Sequence, residues 1–151
     1  GNPGQTAYAA AKAGIASFAR TWSMECAKSD ITVNAIVPVA LTRMVATMPA
    51  FAPIAESISR GEPLPDTLRQ GAGLGMPEDV APLVVFLASD QAAGISGQCI
   101  GLGGDKLSLW SHPQEIHSAS RSGGWTAEAI ARAWPATLGN RLESVGLPPF
   151  P

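Results

Sequence analysis

Basic residues are scarce. Ten lysines and arginines stand against 12 aspartates and glutamates in 151 residues, a formal net charge of -2. No basic stripe exists to follow a phosphate backbone, so nucleic acid is not an expected partner. Cysteine is scarcer still: Cys26 and Cys99 can make neither a disulfide framework nor a metal quartet, and both stand among apolar neighbours, where free thiols pack as small hydrophobes. A reducing, cytoplasmic compartment is the expectation. The two histidines, His112 and His117, are five apart, off the spacing of one helix face and without a Cys or carboxylate pattern beside them, so no metal site is expected. Long apolar runs are missing too. The longest, residues 80–88, is far too short to span a bilayer, and no charged-then-apolar leader opens the sequence. A soluble, non-secreted protein without membrane contact is expected. The 16 glycines and 13 prolines show no period, which excludes collagen and solenoid repeats.

What remains is 46% hydrophobic and 15% charged, the composition of one globular domain. Residues 1–29 are alanine-rich and strongly helical, with Pro3 and Gly4 marking where the helix can begin. At about 100° per residue, Tyr8, Lys12, Ile15, Ala19, Trp22 and Cys26 share a stripe that is expected to face a core. Lys12 is out of place there, because an ammonium on an apolar face is costly unless it is paired or reached by water. After a polar turn at Lys28-Ser29-Asp30, residues 31–37 are β-branched and closed by Pro38, which reads as a buried strand covered on both faces. Ligands of open α/β sheets bind at the carboxyl ends of such strands.

Residues 45–76 are punctuated by proline and glycine, which predicts short helices broken by turns, no sheet, and a lid or binding loop. Pro77-Glu78-Asp79 is a helix start, with the body over 80–88 and Pro82 pushing the true start toward residue 80. Residues 98–102 form a second short strand, joined to the first by a long crossover that contains a helix, so the two strands run parallel. Two strands do not make a free-standing sheet. The sequence therefore reads as the carboxyl-terminal half of an α/β, doubly wound parallel-sheet domain whose amino-terminal half is missing. Residues 1–104 form the partial domain. Residues 105–151, with Trp110, Trp125 and Trp134 and a proline-rich end at Pro148-Pro149-Phe150-Pro151, form an extension packing on the domain or on a partner subunit. Within it, Thr126 is a plausible cap for a helix reaching Trp134.

Tyr8 and Lys12 are one helical turn apart, so their side chains enter the same volume. That pairing suits acid–base work, because an ammonium within about 4 to 6 Å of a phenol favours the phenolate and has donors left for a ligand hydroxyl. Four stretches in order, Gly4-Gln5-Thr6-Ala7-Tyr8-Ala9-Ala10-Ala11-Lys12-Ala13-Gly14, then Ile31-Thr32-Val33-Asn34-Ala35-Ile36-Val37-Pro38, Pro77-Glu78-Asp79-Val80-Ala81 and Ser96-Gly97-Gln98, resemble the short-chain dehydrogenase/reductase family over about residues 1–104. The resemblance implies a Rossmann-like fold and hydride transfer between NAD or NADP and the carbon of a ketone or secondary alcohol.

It also implies roles for residues. Tyr8 matches the family's catalytic tyrosine and Lys12 the lysine that holds the nicotinamide ribose hydroxyls and favours the phenolate. Pro38 and Val39 match the segment whose backbone lies against the nicotinamide, and Thr42 falls near the hydroxyl that contacts the carboxamide or diphosphate, one residue short of the usual spacing. The short 38–42 loop and Val80-Ala81-Pro82-Leu83-Val84 are similar to one branch, the (3R)-hydroxyacyl-CoA dehydrogenase domain of multifunctional β-oxidation enzymes, which implies a 3-hydroxyacyl-CoA type of substrate. Family resemblance also implies a homodimer or homotetramer, paired through the Tyr–Lys helix and through the last helix and strand. The family's glycine-rich diphosphate turn and its serine lie ahead of Tyr8, and Gly71–75 and Gly101–104 stand in for neither, so the chain alone is expected to have little activity. A second expectation, from another class, is a non-catalytic truncated dehydrogenase acting as a subunit-interaction module.

Overall fold

A computed structural model describes residues 1–143, and the proline-rich end lies outside them. They fall into two compact units divided after His112. In the first, helix α1 (Thr6–Cys26) leads through a short turn, closed by Asp30 in the left-handed region (φ 53°), to strand β1 (Ala35–Pro38). Helices α2 (Arg43–Ala46) and α3 (Ala52–Ser59) follow, then a wide π-type turn over Thr67–Ala72. Helix α4 (Ala81–Leu87) precedes strands β2 (Cys99–Gly103) and β3 (Lys106–Trp110). Pro82 stands in the first turn of α4, where its missing N–H has no intrahelical partner to lose. The helix starts where its sequence expects it to.

The sheet order is β1-β2-β3. The first pair is parallel, as the crossover requires, with Ala35 opposite Cys99 and Val37 opposite Gly101. This is an α/β fold. Strand β1 is shorter than the β-branched run at 31–37, because side chains replace ladder bonds at its entrance. Ser96 Oγ accepts from the Val33 amide at 3.1 Å, and the Asn34 amide both donates to Ile95 O (2.7 Å) and accepts from Gln98 N–H (3.0 Å). Strand β3 was expected to belong to the extension beginning at 105. It pairs antiparallel with β2 instead, Gly103 opposite Lys106, because Gly104 (φ 52°) and Asp105 make a two-residue hairpin loop that folds the chain straight back.

Only part of the expected α1 stripe packs. Ala19 is buried against Ala35 and Cys99, with Ala16 and Val33 beside them, whereas Tyr8, Ile15 and Trp22 are 60%, 49% and 51% exposed. Small side chains let the helix backbone come close to the sheet, and the large apolar ones point away. Lys12 is exposed, so it bears no burial cost. Nor is β1 covered on both faces: Ala35 is buried while Ile36 is 40% exposed. On the other side of the sheet, Leu83 and Phe86 of α4 face Ile100, Leu107 and Leu109 across a cleft of about 580 Å³.

Residues 41–76 carry a core of their own. Leu41, Leu64 and Leu74 are buried together, with Val45, Phe51, Ile54, Ile58, Leu68 and Met76 packed against them. Three buried leucines contribute on the order of 5–9 kcal/mol of gross hydrophobic stabilisation. The segment is mostly helix and turn, as its prolines and glycines dictate, except for one parallel bridge between Ala40 and Gly75. In the second unit, helix α5 (Ala127–Ala133) is capped by Thr126, whose hydroxyl accepts from Ala129 N–H at 3.2 Å. Trp125, Ile130 and Trp134 line an apolar cavity of about 240 Å³ beside it.

Candidate active site

Tyr8 and Lys12 occupy the first two turns of α1. The Lys12 ammonium lies 5.3 Å from the centroid of the Tyr8 ring, a cation–π distance that joins the two groups without tying up either polar end. Lys12 Nζ makes no hydrogen bond or ion pair among the described residues, so its donors point to solvent.

Where this pair sits relative to the sheet follows from the packing of α1. Ser23 lies against Gly97, just before β2, while Ala19 packs on Ala35 and Cys99, the first residues of β1 and β2. Walking backward along the helix therefore walks forward along the strands. From Ala19 back to Lys12 is seven residues, about 10 Å of helix. From Ala35 on to Pro38 is three residues, about 10 Å of strand. Lys12 and Tyr8 therefore lie on the part of α1 that runs toward the carboxyl end of β1. No hydrogen bond joins them to residues 38–42 among the described residues.

Those residues leave β1 as a braced segment, exposed at Pro38, Val39 and Thr42 and buried at Leu41. Val39 N–H donates to Leu102 O (3.1 Å), and Leu41 N–H donates to Gly75 O (2.7 Å). Beneath it the backbone is so close that a Cβ on Gly103 would stand 2.3 Å from Val39 O and 2.2 Å from Gly73 O. Only glycine fits there. Thr42 turns the chain into α2, its Oγ1 accepting from Val45 N–H at 3.3 Å; that bond leaves the hydroxyl proton free to donate elsewhere. Pro38, Val39 and Thr42 are all exposed on this edge.

Residues 1–104 match the profile of a family described as Enoyl-(Acyl carrier protein) reductase. The chain belongs to the short-chain dehydrogenase/reductase family. Among curated relatives, it is similar to the 3-oxoacyl-(acyl-carrier-protein) reductase FabG of Thermotoga maritima, 41% identical over 105 residues covering 69% of this chain and 39% of the relative. The same-named reductase of Rickettsia felis is 42% identical over 107 residues, covering 71% and 41%. Among solved structures, a short chain dehydrogenase from Mycobacterium avium superposes with a TM-score of 0.61 at 26% identity, over 95% of this chain and 39% of that one. The chain thus spans about two fifths of the length of the relatives it matches. These reductases are named for acyl-carrier-protein substrates rather than as β-oxidation dehydrogenases, so the family assignment stands and the branch suggested by the short 38–42 loop does not follow from it.

The chemistry of the residues present fits the nicotinamide-ribose end of a dinucleotide: lysine donors without a protein partner among the described residues, an exposed phenol beside them, and exposed Pro38, Val39 and Thr42 at the end of β1. Neither glycine-rich stretch suits the diphosphate. Residues 71–75 lie in and just after the π-type turn, and 101–104 run from β2 into the hairpin loop; neither opens a helix, as a diphosphate site requires.

One polar cluster escaped the sequence reading. Arg69 Nε and Nη2 both donate to Asp105 Oδ1 (2.9 and 2.7 Å), and Nη1 donates to Asp79 Oδ2 (3.1 Å). Asp79 Oδ2 also accepts from Met76 N–H at 2.7 Å. That amide, ahead of the Arg69 guanidinium, holds the Asp79 carboxyl below the usual carboxylate range against the opposing effect of partial burial. Asp79 was legible only as an acid in a helix first turn. Its partner Arg69 lies in the loop, and Asp105 is 36 residues beyond Arg69, so no local pattern links the three.

Proposed function

We propose that this chain supplies the acid–base and nicotinamide-facing part of an NAD(P)-dependent oxidoreductase that interconverts a ketone and a secondary alcohol. The single observation that carries the reading is the Tyr8–Lys12 pair, exposed and with the ammonium 5.3 Å from the ring centroid, on the part of α1 that runs toward the carboxyl end of β1. The dinucleotide, when bound, supplies or accepts the hydride. In reduction the Tyr8 hydroxyl protonates the carbonyl oxygen as it gains negative charge; in oxidation the Tyr8 phenolate takes the alcohol proton. Lys12 directs its free N–H groups to the nicotinamide ribose hydroxyls. Pro38 and Val39 present backbone to the nicotinamide face, and the Thr42 hydroxyl donates to the carboxamide or diphosphate.

For substrate we propose a 3-oxoacyl or 3-hydroxyacyl thioester. The names of the reductase relatives support an acyl-carrier-protein ester; Val80-Ala81-Pro82-Leu83-Val84 supports a CoA ester. The exposed apolar face of α1, where the Phe18 and Trp22 rings stack with centroids 5.3 Å apart, supports a homodimer or homotetramer built on that helix. It equally supports the second reading, a non-catalytic subunit-interaction module.

The test is turnover of acetoacetyl-CoA and of acetoacetyl-acyl-carrier protein with NADH and with NADPH, in the full-length enzyme and its Tyr8→Phe variant. Tyr8→Phe is expected to lower kcat by at least about 10²-fold with cofactor affinity within about twofold of wild type. Activity that survives the change refutes the role of Tyr8. A wild-type protein that associates but turns over nothing favours the interaction module.

A further inference from the structure

We propose that Arg69 is a positioning residue for the nicotinamide-facing segment 38–42, acting as a latch through Asp105 and Asp79; this rests on the functional reading above. The segment has two supports. On one side the Val39 amide is held by Leu102, a residue of β2 locked into the sheet. On the other the Leu41 amide is held by Gly75 O, a residue of the stretch that follows the π-type turn. That second support is only as firm as the attachment of residues 69–76 to the sheet.

The latch is the charged part of that attachment, beside the apolar contact of Leu74 with Leu41. Arg69 reaches across to Asp105 in the β2–β3 loop and to Asp79 at the start of the next turn, with 26% of its side chain exposed against 27% for Asp79 and 41% for Asp105. The guanidinium fork lets one residue hold two carboxylates in fixed directions, which a point charge does not do. Around it the backbones meet without side chains between them. A Cβ on Gly75 would lie 2.3 Å from Gly104 N and 2.5 Å from Asp79 Oδ2, and one on Gly104 would lie 2.8 Å from Arg69 O. Loosening the latch lets these surfaces separate, and the Leu41 amide to Gly75 O bond then rests on the Leu41–Leu64–Leu74 core alone. Two weaker ties remain, Asp105 N–H to Arg69 O (3.2 Å) and Lys106 Nζ to Gly71 O (3.2 Å), so removal of the guanidinium leaves the fold standing. Tyr8 and Lys12 sit on α1, which the latch does not touch.

The consequence is a split between binding and chemistry. In the full-length enzyme, Arg69→Met is expected to weaken dinucleotide binding, measured by titration calorimetry, about tenfold, with kcat at saturating cofactor changed less than about twofold. Arg69→Lys is expected to fall between, since an ammonium satisfies one carboxylate at a time. Hydrogen exchange is expected to quicken over residues 39–42 and 73–76 in Arg69→Met while α1 and β2 keep their protection. Unchanged dinucleotide affinity overturns the proposal, as does protection lost evenly across α1, β2 and the 39–42 segment, which marks a purely structural role. If wild type binds no dinucleotide, the functional reading fails with it. If wild type binds and Arg69→Met binds equally well, the latch alone fails.

Discussion

Asn34 offers the sharpest test of how the two parallel strands are joined. Its side chain makes two bonds to the approach to β2, donating to Ile95 O at 2.7 Å and accepting from Gln98 N–H at 3.0 Å, both half-buried. Asn34→Ala removes both partners at once and leaves a carbonyl and an amide facing each other with no room for regular pairing. Each stranded group costs about 1–1.5 kcal/mol when water reaches it only in part, so the change is expected to destabilise the protein by about 2–3 kcal/mol. At about 2–4 °C per kcal/mol for a domain of this size or larger, Tm falls by about 5–10 °C. Ser96→Ala is the internal comparison. It removes one bond, from the Val33 amide at 3.1 Å, and is expected to cost about 1 kcal/mol. Urea unfolding of the two variants and wild type, with m unchanged, reads both values. Equal losses for the two variants, or a loss under about 0.5 kcal/mol for Asn34→Ala, would refute the claim that the side chain substitutes for ladder bonds.

Two further outcomes are expected. Gly103→Ala drives a Cβ to 2.2 Å from Gly73 O and 2.3 Å from Val39 O, two backbone atoms that cannot swing aside, so it is expected to cost more than about 3 kcal/mol and to yield little folded enzyme at 37 °C; a variant with wild-type Tm contradicts the close packing beneath residues 38–42. Asp79 sets an acid limit. Its folded carboxyl is held below the ordinary value, first by the Met76 amide and then by Arg69, so its stabilisation is present above about pH 4, the unfolded carboxyl's range, and is lost as pH falls through the folded value. Asp79→Asn is expected to flatten the loss of stability below about pH 4 while lowering stability at pH 7, read as ΔG of unfolding against pH; an unchanged acid slope counts against the assignment.

The parts of this molecule that were legible in the sequence are those written in neighbouring residues. Tyr8 and Lys12 are one helical turn apart, Thr126 stands just ahead of its helix, and Pro82 advertises where α4 begins; each is a local rule, and each element formed. The hairpin was local too, since Gly104 and Asp105 ahead of the alternating Lys106-Leu107-Ser108-Leu109-Trp110 are a two-residue turn signal, but the glycines of 101–104 were read as sheet-edge residues that make no diphosphate turn, and the strand after them was not drawn. The family motifs carried the fold because they sample both ends of a parallel crossover. Arg69 with Asp105, 36 residues apart, and Asn34 with Gln98, 64 apart, were not legible, because nothing in either local pattern names its partner.

The partly misread face of α1 has a different cause, and it bears on the site. Hydrophobic periodicity weighs a side chain by its bulk, so Tyr8, Ile15 and Trp22 drew a stripe on which Ala19 packs and they do not, while Ala16 and Ser23 beside it complete a packed face whose contribution is small size. Each alanine buries little area, and the helix is held less by hydrophobic gain than by how near its backbone can come to Ala35, Cys99 and Gly97. That nearness sets the chemistry. Because Ala19 fixes the spacing between α1 and the first residues of the strands, it also bears on where Lys12 and Tyr8, farther along the same helix, stand over the sheet. A larger residue at position 19 would lift the helix and tilt its first turns away from the sheet, displacing Tyr8 without touching it.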